Sequence, residues 1–167
     1  DIPEDMRTAP GNFNESTAKI YSDFGLLTCR REIVADARGV FDFIAAHRPL
    51  ECRELLVAPY NMRHTFEKLV EDEIKNAKKG KEAYIKAKFN SLTDEDMINL
   101  LYKASRAGVK ISLIVRGACC LQPGVPGQSE NIRVISIIDI YLEHARMAIF
   151  CSGGREKIFI MNDCGRV

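Results

Sequence analysis

AYIKAKFNSLTDEDMINLLYKASRAGVKISLIVRG, residues 83–117, reads as strand, helix, strand. Its ends, AYIKAKF and VKISLIVRG, are short apolar runs of strand character. Between them SLTDEDMINLLYKASRAG offers Ser91 or Thr93 as an N-terminal cap, acidic residues in the first turn and Gly108 as a stop. Upstream, LLVAP (residues 55–59) is a buried-strand candidate ended by proline. NMRHTFEKLVEDEIKNAKKG (residues 61–80) is a helix with Phe66, Leu69, Val70, Ile74 and Ala77 on one stripe and Gly80 as its stop. The series is β-α-β-α-β, which favours a mainly parallel sheet flanked by helices and so the α/β class. Ligands in such folds gather beyond the carboxyl ends of the strands, and Arg116 sits at one of them.

Further along, GACCLQPGVPGQSE (residues 117–130) is a loop and IRVISII (132–138) another strand candidate. HARMAIF (144–150) and EKIFIM (156–161) read as a pair joined by CSGGR. The first fifty residues differ in character. After a polar opening, REIVADARGVFDFIAAH (residues 31–47) carries Ile33, Val34, Ala37, Val40, Phe41 and Ile44 at helical spacing, and that helix should stop near His47, ahead of Pro49.

In YLEHARMAIF (residues 141–150), strand alternation puts His144, Arg146 and Ala148 on one face. An imidazole beside a guanidinium suits an anionic oxygen such as a phosphoryl group. A structural role is nonetheless the commoner one for a lone strand-end histidine, and for Arg116 a strand-end salt bridge competes evenly with anion binding.

Composition bounds the partners. In 167 residues, 24 Lys and Arg stand against 23 Asp and Glu, a formal charge of +1, so no global field recruits nucleic acid or an anionic membrane and any anion site must be local. No apolar run is long enough for an integral membrane segment, and the acidic, polar start DIPEDMRTAP is unlike a secretory signal, which makes a cytoplasmic location the default. Six cysteines show no C-x-x-C pair and no zinc-finger spacing, as expected of reduced thiols. The DFG at Asp23–Gly25 lacks every other element of a protein-kinase site.

The long stretch IVRGACCLQPGVPGQSENIRVISI (residues 114–137), followed by YLEHAR, closely resembles the carboxy-terminal region of bacterial polyphosphate kinases. GNFNESTAKIYSDFGLLT, LLVAPYNMR, SRAGVKISLIVRG and SENIRVISI resemble that family in the same order, over most of residues 11–160. Several long motifs in register are far more specific than any short signature. The resemblance implies a phospholipase D-like α/β fold, with a mainly parallel sheet flanked by helices. Residues 1–53 would be the end of one carboxy-terminal catalytic half and residues 54–167 a truncated second half. The implied reaction is reversible transfer of the terminal phosphate of ATP to inorganic polyphosphate through a phosphohistidine, with ATP or ADP and polyphosphate as partners and Mg2+ as cofactor. A homo-oligomeric parent enzyme, cytoplasmic or peripheral to the inner membrane, is implied too.

Carried over residue by residue, the histidine of LEH is His144, at the nucleotide phosphates. The arginine of VRG is Arg116, on nucleotide phosphate, and the tyrosine of TA-x-x-Y is Tyr21, at the adenine end of ATP. Arg146, beside His144, joins the phosphate-binding set. The phosphorylated histidine of the family lies upstream of GNFN and has no counterpart here, and the family's metal-associated arginines are missing too. His47 and His64 do not match and read as surface residues. TAPGN replaces the usual GTGN, and MNDCGRV replaces SADW. The expectation is therefore a fragment with little or no turnover by itself. Two other readings stand beside it: a phospholipase D-like phosphodiesterase working as a homodimer, weakened because H-x-R replaces H-x-K and the following acid is missing, and a non-catalytic interaction module.

Overall fold

The computed structural model describes residues 6–8, 15–16, 19–20, 25–137, 142 and 144–161. Two short strands, β1 (Met6–Thr8) and β2 (Leu26–Thr28), pair antiparallel and lead into α1 (Arg31–Ala46). Then follow α2 (Met62–Lys78), β3 (Tyr84–Phe89), α3 (Glu95–Arg106), β4 (Lys110–Val115), β5 (Ile132–Ile135), β6 (Arg146–Phe150) and β7 (Lys157–Met161).

The last five strands form one sheet in the order β5-β4-β3-β6-β7. β3, β4 and β5 run parallel, as the helix between β3 and β4 requires, while β6 and β7 are an antiparallel hairpin added beside β3. The sheet is thus parallel through the β-α-β section and mixed as a whole. Alternation along the strands explains its two faces. Ile85, Ala87 and Phe89, with Ile111, Leu113 and Val115, Ala148 and Phe150, are buried together with Phe66, Leu69, Val70 and Ile74 of α2 and Met97, Ile98 and Leu101 of α3. Phe66 meets Phe150 edge to face with ring centroids 5.6 Å apart. The opposite face carries Lys86, Ser112, Arg133 and, on β7, Ile158 and Ile160, which stay 62% and 65% exposed.

Helix ends follow local chemistry. Gly80, at φ +70°, closes α2 by donating to the Ala77 carbonyl. The cap of α3 is Asp94 rather than Ser91 or Thr93: its carboxylate accepts from Met97 N at 2.9 Å and also takes both terminal nitrogens of Arg63, at 2.7 and 2.9 Å. A carboxylate that caps one helix and binds an arginine of the next outcompetes a nearby hydroxyl. That pairing joins the first turns of α2 and α3, holds the Asp94 carboxyl below the usual range and pushes the Arg63 guanidinium up.

One further expectation is corrected, and one helix packs less than its pattern suggests. LLVAP joins no ladder. The amides of Arg53, Glu54 and Leu55 all donate to one Asp36 oxygen, at 2.9, 2.7 and 2.9 Å, and Val57 N donates to Asn61 Oδ1, so side chains have taken the groups that a strand would use. The apolar stripe of α1 is not a packed stripe either: Asp36 is the buried residue of that helix, and Phe41 and Ile44 are 71% and 65% exposed. Periodicity records a face made for burial, and the described elements leave its Phe41 and Ile44 end uncovered.

Candidate functional site

The carboxyl ends of β3 and β4 hold the first component. Phe89 lies opposite Val115 in the parallel ladder, and the same offset sets Asn90 opposite Arg116. The two strands stay locked past their formal ends. Arg116 N donates to the Phe89 carbonyl at 3.2 Å, Gly117 N to the Asn90 carbonyl at 2.6 Å, and Leu92 N to the Ala118 carbonyl at 2.8 Å. Gly117 is required there, because a Cβ would lie 2.8 Å from Asn90 O and 2.9 Å from Ser91 Oγ.

Arg116 is half-buried, and its side chain is held along one edge. Its Nε and Nη2 both donate to Asn90 Oδ1, at 2.9 and 2.5 Å. The third nitrogen, Nη1, is buried without an acceptor among the described residues. The loop after Arg116 is fixed by buried Ser129, whose hydroxyl donates to the Gln122 carbonyl at 2.6 Å and accepts from Val125 N at 3.0 Å. Asn131 ties the loop's end to Ser105 of α3.

The second component stands on the other side of β3. β6 is antiparallel to β3, with Met147 opposite Lys88, so Arg146 begins β6 beside the carboxyl end of β3 and half-buried His144 lies just beyond. Two inter-strand spacings, about 10 Å, separate the β4 and β6 backbones. Arg146 and Ala148 share the helix-covered face, as alternation predicts, and Arg146 is buried there. Leu142 N donates to the Ile20 carbonyl at 2.6 Å, which joins this segment to the amino-terminal part of the chain. Tyr21, the next residue, lies outside the described residues. His47 and His64 are both exposed, the first in a left-handed conformation at the end of α1.

None of the residues of β3 to β7 is acidic, while Lys86, Lys88, Lys110, Arg133, Arg146 and Lys157 are basic. A chain of near-zero net charge therefore concentrates positive charge in one sheet, which suits an anionic ligand. A cavity of about 340 Å³, lined by Lys86, Lys88, Ser112, Arg133, Met147 and Ile149 among others, lies along the uncovered face of the sheet rather than at the strand ends. Among the described residues no three His, Cys, Asp or Glu side chains converge as a metal site. The five described cysteines are free. No helix among the described residues is long and apolar enough to cross a membrane.

Asn90, Gly117 and Ser129 escaped the sequence reading. For Asn90 and Gly117 a signal existed: once the two strands are taken as parallel neighbours with an offset of 26, Asn90 falls opposite Arg116 and Gly117 opposite Ser91. Nothing in the periodicity marks Ser129.

A half-parallel sheet with helices on one face and cationic side chains at its strand ends is an α/β architecture, as the phospholipase D-like fold implied by the resemblance requires. The family described as polyphosphate kinase C-terminal domain 2 matches residues 55–163, and that described as polyphosphate kinase C-terminal domain 1 matches residues 4–49. The chain belongs to the polyphosphate kinase family. It is 46% identical over 152 residues to the polyphosphate kinase of Bacillus cereus and 50% identical over 151 residues to that of Vibrio cholerae serotype O1, each alignment covering 90% of this chain and 22% of the relative. The crystal structure of polyphosphate kinase from Porphyromonas gingivalis superposes with a TM-score of 0.86 at 47% identity, over 96% of this chain and 27% of that one. The chain thus spans about a fifth of the length of the curated relatives it matches.

Proposed function

We propose that this chain supplies the nucleotide-phosphate side of an ATP:polyphosphate phosphotransferase, in which the terminal phosphate of ATP passes reversibly to inorganic polyphosphate. The observation that carries the proposal is Arg116. It stands at the carboxyl end of a parallel strand with one edge held by Asn90 and with Nη1 still lacking an acceptor among the described residues, in a chain of the polyphosphate kinase family. A guanidinium fixed along one edge presents the remaining N–H groups in a fork that fits phosphate oxygens.

In this reading Arg116 holds a phosphate, and His144, across β3, serves the proton or charge demand as the phosphoryl group leaves. Arg146 supplies positive charge from beneath the site, and Tyr21 covers the base. The phosphoryl-accepting histidine comes from a segment not included in these 167 residues. Residues 1–53 belong to one carboxy-terminal half and residues 54–167 to the next, and the hydrogen bond from Leu142 to Ile20 supports a site shared by both. No three carboxylate, imidazole or thiol side chains among the described residues form a ready-made cage for magnesium. Magnesium would reach the reaction on the nucleotide's own phosphates, with any protein contacts elsewhere in the enzyme.

Calorimetric titration with ATP and with long-chain polyphosphate tests the reading. Wild type is expected to bind at least one of them, with affinity about tenfold or more lower in Arg116→Ala, since a charge-assisted bond contributes roughly 1.5–3 kcal/mol. Binding unchanged in both Arg116→Ala and His144→Ala would sink it, as would phosphodiester hydrolysis by the wild-type chain that His144→Ala abolishes.

A further inference from the structure

Asn90 makes a contact with Arg116 that has the geometry of an orienting device. We infer that Asn90 is the positioning residue of the phosphate site: it sets the direction of the Arg116 guanidinium without neutralising it. The inference rests on the reading of Arg116 as a phosphate ligand.

Arginine is a donor only, so the Asn90 atom facing Nε and Nη2 must be the amide oxygen, and the pairing fixes the orientation of the amide. The Asn90 backbone is held at the strand end, because its carbonyl accepts from Gly117 N at 2.6 Å and the parallel ladder ends immediately before it, at Phe89 and Val115. An aspartate at this position would make the commoner salt bridge and cancel the charge. The amide instead accepts the same two N–H groups and leaves a full positive charge for the ligand. The remaining nitrogen, Nη1, is buried and without an acceptor among the described residues, so no protein group there neutralises the guanidinium. Orientation of one edge, retention of charge and an unsatisfied far nitrogen together are what a preorganised anion site needs.

The test separates positioning from packing by their opposite signs. Inorganic tripolyphosphate is titrated into wild type, Asn90→Asp, Asn90→Ala and Arg116→Ala, and the melting temperature of each is recorded. Asn90→Asp keeps the shape and strengthens the pair, so it should melt at or above the wild-type temperature yet bind tripolyphosphate at least tenfold more weakly. Asn90→Ala releases the guanidinium and should weaken binding several-fold. Wild-type affinity in Asn90→Asp or in Asn90→Ala, while Arg116→Ala has lost it, overturns the positioning role and leaves Arg116 as ligand. If wild type fails to bind, or if Arg116→Ala binds as wild type does, the phosphate reading of Arg116 falls and the role of Asn90 falls with it.

Discussion

Replacing Asp36 by alanine should loosen the joint between α1 and the segment that leads into α2. One carboxylate oxygen of Asp36 accepts three consecutive amides, Arg53, Glu54 and Leu55, at 2.9, 2.7 and 2.9 Å, and Asp36 is the buried residue of its helix. Hydrogen bonds to an ionised acceptor contribute roughly 1.5–3 kcal/mol each, so their gross contribution is about 4.5–9 kcal/mol. Much of this is recovered on mutation, because Arg53 and Glu54 are exposed and water can take their amides, whereas Leu55 is only half-exposed. A net loss of about 2–4 kcal/mol is expected for Asp36→Ala. Asp36→Asn retains an oxygen of the same shape without the charge and should lose about half as much. Urea unfolding followed by far-ultraviolet circular dichroism reads the midpoint shift at constant slope. Trypsin cleavage after Arg53 reads the local loosening and should be faster in both variants. If Asp36→Ala unfolds within about 0.5 kcal/mol of wild type, the usual scatter for surface changes, and is cut at Arg53 no faster, the three bonds do not hold this joint.

Gly117→Ala places a methyl group 2.8 Å from the Asn90 carbonyl, so β3 and β4 must part; a cost of about 1–3 kcal/mol in urea unfolding, with weaker tripolyphosphate binding, is expected. The Glu73 carboxyl is pushed up by burial, an effect only partly opposed by Ser152 N, which donates to it at 2.6 Å. Below its ordinary value of 4.5 both folded and unfolded states hold the proton, and above it the unfolded state loses the proton first. Wild type should therefore lose stability relative to Glu73→Gln as pH rises above about 4.5, and melting curves that run parallel across pH would refute this. Asp94→Ala removes both the α3 cap and the two-pronged partner of Arg63, which keeps Glu67, an expected cost of about 1–2 kcal/mol. Because its carboxyl is held low, the Asp94 contribution is present above the ordinary carboxylate range and disappears as pH falls through the lowered value, so thermal melts of wild type and Asp94→Ala should converge in acid.

The amino-acid order by itself determined the strand-helix-strand alternation, the helical stripe of α2, the Gly80 stop and the β6–β7 pair, because each rests on a local period or a local backbone preference. Long motifs in register also carried the family. LLVAP misled for a physical reason: an apolar run ending in proline is what a buried strand looks like, and the competing acceptor for amides at and before its start, Asp36, lies 17 to 19 residues away on α1. The α3 cap shifted to Asp94 because Arg63, 31 residues earlier, binds the same carboxylate. Only the tertiary structure decided which strands are neighbours, which face of the sheet the helices cover, and that Arg116 is oriented by Asn90 rather than neutralised by an acid. Those outcomes depend on residues far apart in the chain meeting at one strand end, and a sequence read through local windows carries no term for that meeting.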